Sequence, residues 1–371
     1  MSGASERPDD SEEPNLSQLK PDLIGEVVPL KRFRNWDRQI ESFSQKRIFH
    51  EKAWLRFLAK DQGGEAVVVQ ITDCEGRQRA LWPGLVVRKG PVRIFGSPLR
   101  GWGTVSMGPL FHEGDVSMLV QAAEKAFAGA GIRHWEFVSE SLEPMVGGRA
   151  SGYRYESSDT HRIALHADDE IMWANLEKRC RTAVRKAAKS GLDCRVSRDG
   201  RFLDSLYAFA VDVFARSKIT PPYDLARLRR LWDALFPLGK AVGFEVWMGE
   251  QMVSAGLMIA DGRQAYVWSQ ASDKRFNQYG PNNLLHWEAM RYFAARGASY
   301  LHSPGAAGSS IGRFKESFRP EVLSYPFWIR DRSHLLRWGR ALYQETYWIQ
   351  SWYQYLITRQ ARPRPDEDGK S

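Results

Sequence analysis

Residues 242–302 decide the fold: VGFEVWM (242–248), MVSAGLMIA (252–260), QAYVWSQA (264–271), a link rich in Asn, Gly and Lys/Arg, PNNLLHWEAMRYFAAR (281–296) and SYLH (299–302). The first three runs are apolar and rich in β-branched and aromatic residues, and they are separated by Gly- and Asp-bearing turns, which predicts three strands. Pro281 suits a first helical turn, so a helix follows from Pro281 to about Arg296, and Ser299 to His302 is the strand after it.

Working outward, the same order occurs earlier in the chain. Glu65–Ile71, Arg79–Val87, Val92–Phe95 and Thr104–Met107 read as strands. A helix is expected over Val116–Gly129, with Leu119, Ala122, Ala123, Ala126 and Phe127 on one face, and Arg133–Val138 is another strand. Phe127-Ala128-Gly129-Ala130-Gly131 aligns with Phe293-Ala294-Ala295-Arg296-Gly297 at an offset of 166 residues. Together with the matching element order, this argues for an internal duplication. The expected class is α/β, with two units of mixed sheet and packed helices.

Between the units, helices are expected over Asp168–Ser190, closed by Gly191, then over Arg201–Arg216 and Asp224–Phe236, with a rigid turn at Thr220-Pro221-Pro222-Tyr223. Residues 24–60 read as an irregular entry with one short helix. A last strand near Leu323–Ile329 precedes a long helix over Ser333–Thr358. This helix carries Trp338, Tyr343, Tyr347, Trp348, Trp352, Tyr353 and Tyr355, a stripe suited to packing on the body or a partner subunit, or to a membrane surface. The divisions are a disordered tail (1–23), a first unit (24–160), a second unit with the donor site (161–330), the aromatic helix (331–360) and a polar tail (361–371).

At 371 residues the chain has room for two cores. No apolar run approaches the roughly 20 residues of a membrane span, and the Ser-, Pro- and acid-rich start lacks the pattern of an export signal, so a cytoplasmic protein is expected. Cys74, Cys180 and Cys194 form no CxxC pair and are odd in number, which fits reduced thiols better than a disulfide framework or a zinc site. A formal charge of +9 despite an acidic tail suits a polyanionic partner such as a nucleotide, a tRNA or an acidic membrane face. GxSxG, HExxH and GxxxxGK[ST] are missing, and there is no strong GxGxxG, so triad hydrolase, zinc protease, nucleoside triphosphatase and dehydrogenase chemistry find no support.

Three segments carry candidate chemistry. Ser269 to Leu285 joins a strand to a helix. Free N–H groups and the positive end of the helix dipole at Tyr279-Gly280-Pro281-Asn282, with Arg275 or Lys274 alongside, can hold a phosphate or carboxylate; the other reading is a capped helix. His302 to Phe318 is a strand end, a Gly/Ser/Ala loop and a short amphipathic turn holding Phe314-Lys315. There a lysine fixed by an aromatic could stabilise a tetrahedral oxyanion, or Lys315 is a surface charge and Phe314 a core plug. Lys178, Arg181, Arg185 and Lys189 form a continuous basic row on one helix face, either solvated or in contact with phosphates.

Taken in order, Leu176-Glu-Lys-Arg-Cys-Arg-Thr-Ala-Val-Arg-Lys-Ala-Ala-Lys-Ser-Gly191, Tyr279-Gly-Pro-Asn-Asn-Leu-Leu285 and Gly312-Arg-Phe-Lys-Glu-Ser-Phe318 resemble the GNAT-like acyltransferases of the Fem type. That group includes peptidoglycan interpeptide-bridge aminoacyltransferases and acetyltransferase-like proteins of cellulose and exopolysaccharide systems. The resemblance covers about residues 160–330 by motif and 30–160 by architecture. It implies two tandem GNAT-like domains, a donor activated as acyl-CoA or aminoacyl-tRNA, no metal, and an amine or hydroxyl acceptor. The Phe-Lys pair of the Fem-type enzymes falls on Phe314 and Lys315, with the lysine stabilising charge on the reacting ester. The phosphate-cradling pattern of CoA-using GNAT enzymes is only half present, with Asn277, Gly280 and Asn282 at the corresponding spacing, which counts against acetyl-CoA.

The implied activity is transfer of an acyl or aminoacyl group to an amine of a cell-envelope precursor or related metabolite. The expected catalytic residues are Lys315, Phe314 and His302, with Glu245 and the substrate as rival bases. The donor-holding residues are Ser269, Arg275, Tyr279, Gly280, Pro281, Asn282, Arg181 and Arg185. Two alternatives stand: acetyl-CoA-dependent N-acetylation in exopolysaccharide synthesis, and a non-catalytic module that binds membrane or a synthase complex.

Overall fold

The computed structural model describes residues 23–112, 116–139, 152–216, 220–304 and 310–332. The chain opens with β1 (Ile24–Pro29), α1 (Trp36–Ile40) and α2 (Lys52–Gln62). It continues through β2 (Glu65–Thr72), β3 (Gln78–Lys89), β4 (Val92–Ser97), β5 (Leu110–Phe111), α3 (Val116–Gly129) and β6 (Ile132–Val138). Then come β7 (Tyr153–Ala164), α4 (Asp169–Asn175), α5 (Lys178–Lys189), β8 (Leu192–Val196), α6 (Phe202–Ala215) and α7 (Leu225–Leu235). The last stretch is β9 (Ala241–Met248), β10 (Gln251–Ala260), β11 (Gln264–Ser272), α8 (Pro281–Ala294), β12 (Tyr300–Pro304), α9 (Ser310–Glu316) and β13 (Glu321–Asp331).

These strands form one mixed sheet, ordered β1-β2-β3-β4-β6-β13-β7-β12-β11-β10-β9-β8, with β5 paired to β3 off this path. Two strands in the middle are exchanged. β13, the last strand in sequence, pairs with β6 of the first half, whereas β7, which follows β6 in sequence, pairs with β12 of the second. The two exchanged strands lie antiparallel against each other from Glu321↔Arg162 to Arg330↔Tyr153. The sheet therefore runs unbroken across residue 160.

Helices cover the sheet on both faces. On one face α2, α6 and α7 pack over strands from both halves: Trp54, Leu55, Leu58, Leu206, Leu228 and Leu231 meet Val68 and Leu85 from the first half and Leu257 and Ile259 from the second. The Asp61 side chain on α2, 2% exposed, is ion-paired with Arg227 at 3.0 Å and Arg230 at 2.6 Å, both on α7, so charge pairs tie the halves beside their shared core. On the opposite face α3 covers the first half, with Phe127 among Trp82, Phe95 and Trp135, while α5 and α8 cover the second.

Several expectations change on contact with the structure. Thr104–Met107 supplies only an isolated bridge, Met107↔Val138, and Leu110–Phe111 makes the pairing with β3. The single helix expected over 168–190 is two, because Leu176 and Glu177 adopt extended ψ values of 148° and 150°. Glu177 there donates its N–H to the Ser317 carbonyl, so the break docks the helix pair onto the end of α9. The entry segment holds a strand paired with β2 and the 11-residue α2, not one short helix. The aromatic helix expected over 333–358, the N-terminal tail and the polar tail lie outside the described residues.

A buried ionic cluster fastens β13 to the first half. His134 on β6 lies 2.6 Å from Asp331 through Nδ1 and 3.0 Å from Glu136 through Nε2, and Arg154 on β7 donates to the same aspartate at 2.7 Å. Burial opposes the imidazolium, but the hydrogen bonds to Asp331 and Glu136 outweigh it and raise the His134 pKa above its ordinary value. The sign is that of a group holding its proton more tightly when folded. Its stabilisation is complete below about pH 6.5 and is lost as pH rises through the higher folded value. Urea denaturation at pH 6 and pH 9 is expected to give a lower midpoint at the higher pH, with the difference reduced in His134→Gln.

Candidate functional site

Each half contains one parallel strand pair joined through a helix, β4–α3–β6 and β11–α8–β12, and the two pairs differ. β4 and β6 remain partnered from Arg93↔Ile132 to Ser97↔Phe137, the end of β4. β11 and β12 are partnered only over Gln264↔Tyr300, Ala265↔Leu301 and Tyr266↔His302. Beyond that point β11 continues to Ser272, while Ser303 and Pro304 pair with β7 alone. A bulge between Leu257 and Met258 helps turn β11 away. The separation between strands at the C-terminal end of a parallel pair is where a ligand can reach backbone groups, and only the second half provides it.

Lys315 on α9 stands at this gap. It is 7% exposed, and its ammonium donates to the carbonyl of Pro304 at the end of β12. Burial pushes its pKa down to about 8, so the cation persists at neutral pH but is held weakly. Phe314, one residue earlier, packs edge-on against His286 at 5.8 Å and against Phe318 at 5.4 Å, which fixes the turn that carries the lysine. The charge on Lys315 adds to burial in lowering the pKa of two neighbouring imidazoles, His286 to about 3 and His161 below its ordinary value. Both are neutral at physiological pH, and among the described residues Nε2 of His286 has no hydrogen-bond partner. These side chains are packed together, and the clefts beside Arg47 and His50 and beside Lys52 and Arg56 lie away from Lys315.

The turn before α8 leads to the same place. Gly280 takes φ +74°, and a Cβ there would stand 3.0 Å from the Ala183 carbonyl of α5, so only glycine lets α5 close on the start of α8. Pro281 occupies the first helical position, where its missing N–H costs nothing. Asn282 is turned inward: its Oδ1 accepts from Ser254 at 2.9 Å and its Nδ2 donates to Ser272 at 2.8 Å, which in turn bonds Asn277. Gln270 donates to the Asn282 carbonyl at 3.2 Å, and its own carbonyl faces His286 Nδ1 at 3.1 Å. Tyr279 packs against Phe276 at the rim.

Other residues singled out from the sequence stand elsewhere. His302 points to the opposite sheet face, stacked on Tyr266 at 4.6 Å and bonded to Gln264 at 2.8 Å; burial and nearby arginines bring its pKa to about 3. Ser269 shares that face and bonds Tyr223 at 2.6 Å. Arg275 is engaged with Asp273, its Nη2 donating at 2.6 Å. Arg181 donates to the carbonyls of Ala174 and Leu176 and so caps α4, while Arg185 lies over the Trp173 ring at 5.2 Å. Burial raises the Cys180 pKa and keeps it a thiol. His286, His161 and Gln270 were not anticipated. The one signal for His286 is its place four residues after Asn282 on the buried face of α8, among Leu285, Ala289, Met290 and Phe293. Among the described residues no group of His, Cys, Asp and Glu can hold a metal.

In fold the second half of the chain is GNAT-like. Residues 174–315 match the family described as "Acetyltransferase (GNAT) domain", a span that runs from α4 to Lys315. In overall structure the chain is similar to FemX, with a TM-score of 0.64 and 15% identity over 83% of this chain and 96% of that one. It is also similar to a protein of unknown function from Bacteroides thetaiotaomicron (TM-score 0.56, 10% identity, covering 79% and 96%). A tandem GNAT protein from the clavulanic acid biosynthesis pathway gives a TM-score of 0.50 at 10% identity, covering 83% and 99%. No curated protein matches the sequence.

Gly280→Ala is expected to destabilise the protein by about 1 kcal/mol or more, from the left-handed backbone together with the contact on Ala183. Chemical denaturation measures this, and Gly262→Ala, also at positive φ but with open space around it, isolates the backbone part.

Proposed function

We propose that this chain transfers an acyl or aminoacyl group from an activated ester or thioester to an amine of a cell-envelope precursor or related metabolite. The two halves are read as tandem GNAT-like units of which only the second holds a donor. The observation that carries this is the β11–β12 separation with a buried ammonium at its edge. In this reading the donor lies over the turn from Tyr279 to Asn282 and its carbonyl enters the gap. When the acceptor nitrogen attacks, the carbonyl oxygen gains negative charge. The Lys315 ammonium, held in a dry setting by the Pro304 carbonyl, is already oriented for that charge and needs little reorganisation. Collapse of the intermediate breaks the bond to the carrier, which leaves as its alcohol or thiol with the proton given up by the attacking nitrogen, and the new amide remains. His302 takes no part in this step, since its ring lies on the far sheet face.

The polarity of the Tyr279–Asn282 turn favours a donor held by more than a pyrophosphate cradle. Pro281 has no N–H, the Asn282 side chain is committed inward, and Arg275 and Arg181 are both engaged within the chain. The acceptor's place in the envelope rests on the Fem-type resemblance.

Thermal unfolding with acetyl-CoA, longer acyl-CoAs and charged tRNA is expected to show a raised Tm with one donor class, because a ligand bound only to the native state stabilises it by about 2.7 kcal/mol at a hundred times its Kd. With the donor so identified, Lys315→Ala should lower kcat by roughly 10²–10³-fold. The wild-type rate should fall as pH rises through about 8, where the ammonium is lost, and Lys315→Arg should carry that descending limb to higher pH. Equal turnover by Lys315→Ala and wild type would remove the lysine from the mechanism.

A further inference from the structure

The buried imidazole of His286, on α8 beside the part of β11 that has left β12, has one nitrogen committed and one open, and the commitment fixes which is which. Gln270 uses its amide N–H on the backbone carbonyl of Asn282 at 3.2 Å, so the Gln270 carbonyl is the group turned to His286. A carbonyl can only accept; Nδ1 of His286 therefore carries the proton and donates it across 3.1 Å. In a neutral ring Nε2 is then a bare lone pair. The His286 side chain is fully buried, and Nε2 has no partner among the described residues. Ring contacts with Phe314 and Phe318 surround it at centroid distances of 5.8 and 4.5 Å, so the open nitrogen lies in apolar surroundings beside the turn that carries Lys315.

The chain Ser272–Asn282–Gln270–His286 is held at each link by a bond of 3.2 Å or less. Nothing in it can rotate to give Nε2 a donor hydrogen without breaking the Gln270 bond. A buried acceptor without a donor is costly, and a ligand that brings an N–H or O–H to it recovers that cost, whereas an isosteric ligand with a methyl group does not. We infer that His286 Nε2 is a specificity-determining acceptor that selects donors whose acyl group carries an N–H or O–H next to the reacting carbonyl, an aminoacyl or hydroxyacyl group, over plain alkanoyl groups. The inference rests on the donor gap proposed above. His286 is a positioning residue here: it touches the acyl substituent and moves no proton, in keeping with a pKa near 3.

The test uses an isosteric pair, glycyl and propionyl, which differ by an amino group in place of a methyl. Each is attached through a non-hydrolysable link to two carriers, as a CoA thioether and as the amide of 3′-amino-3′-deoxyadenosine, and Kd is measured by calorimetry on the full-length protein. On whichever carrier binds, wild type is expected to prefer glycyl by about 10-fold or more, the size of one well-made hydrogen bond to a buried acceptor. His286→Phe should bring that preference close to one and hold propionyl at least as tightly as wild type. A thermal midpoint and near-UV circular dichroism spectrum of His286→Phe matching wild type guard against a variant that merely misfolds. Binding of glycyl and propionyl with equal affinity by wild type overturns the inference and leaves the donor gap standing. An equal loss of both ligands in His286→Phe also overturns it, since His286 would then only support Lys315. Failure of all four ligands to bind wild type overturns the donor gap itself and the inference with it.

Discussion

The exchange of β7 and β13 is the constraint on which the rest of the molecule depends. Each of these strands has its backbone groups satisfied on one side by the other and on the second side by the half to which it does not belong in sequence. Unpaired N–H and C=O groups in a sheet interior are expensive, so neither half can close its sheet alone. β13 follows α8, β12 and α9 in the chain, and α9 is joined to it through residues 317–320. The buried His134–Asp331 contact sits at the far end of the same strand, where it locks β13 onto β6. The position of Lys315, five residues before β13 begins after Phe318-Arg319-Pro320, is thereby referred to the first half of the chain as much as to the second.

From this frame comes the asymmetry between two similar parallel pairs. In the first, strand partnering continues to the end of β4, and Trp82, Phe95, Phe127, Trp135 and Phe137 make an edge-to-face cluster beneath α3. A gap there would have to be cut through aromatic packing. In the second, the bulge in β10–β11 and the capture of Ser303 and Pro304 by β7 part the strands, and the facing residues of α8 and β11 are Asn282, His286 and Gln270. The same strand–helix–strand unit thus packs around aromatic rings in one half and around hydrogen-bonded polar side chains in the other.

What could be read from the sequence follows from how local each signal is. α3 and α8 were legible nearly to the residue because apolar spacing, a stop and, for α8, Pro281 all agree over one short stretch. β9, β10 and β11 were legible because both faces are covered and the runs are apolar. β7 was not, although it is central in the sheet. Arg154, Tyr155 and Ser157 are exposed among the described residues, and no apolar alternation marks the strand. The segment 168–190 has helical spacing throughout, and its break at Leu176–Glu177 is set by a distant partner, the Ser317 carbonyl. For the site, Phe314-Lys315 and Tyr279–Asn282 stood out by local composition. His286, His161 and Gln270 did not, since a lone polar residue in an apolar helix or strand acquires meaning only from what the tertiary fold sets across from it. Arg181 and Arg275 stood out for their charge, and the fold uses that charge on α4 carbonyls and on Asp273.

The energetics of Lys315 argue for a use beyond stability. An ammonium removed from water loses solvation that a single carbonyl does not return; burial takes its pKa to about 8, and among the described residues no carboxylate forms an ion pair with it. A methionine or leucine would fill the space at no such cost. Around it the fold places neutral imidazoles where acids would have stabilised the cation, and keeps them neutral through the cation itself. A buried positive charge without a counter-charge is a poor way to hold a turn in place. It is well suited to meet an oxygen that becomes negative only while a bond is being made.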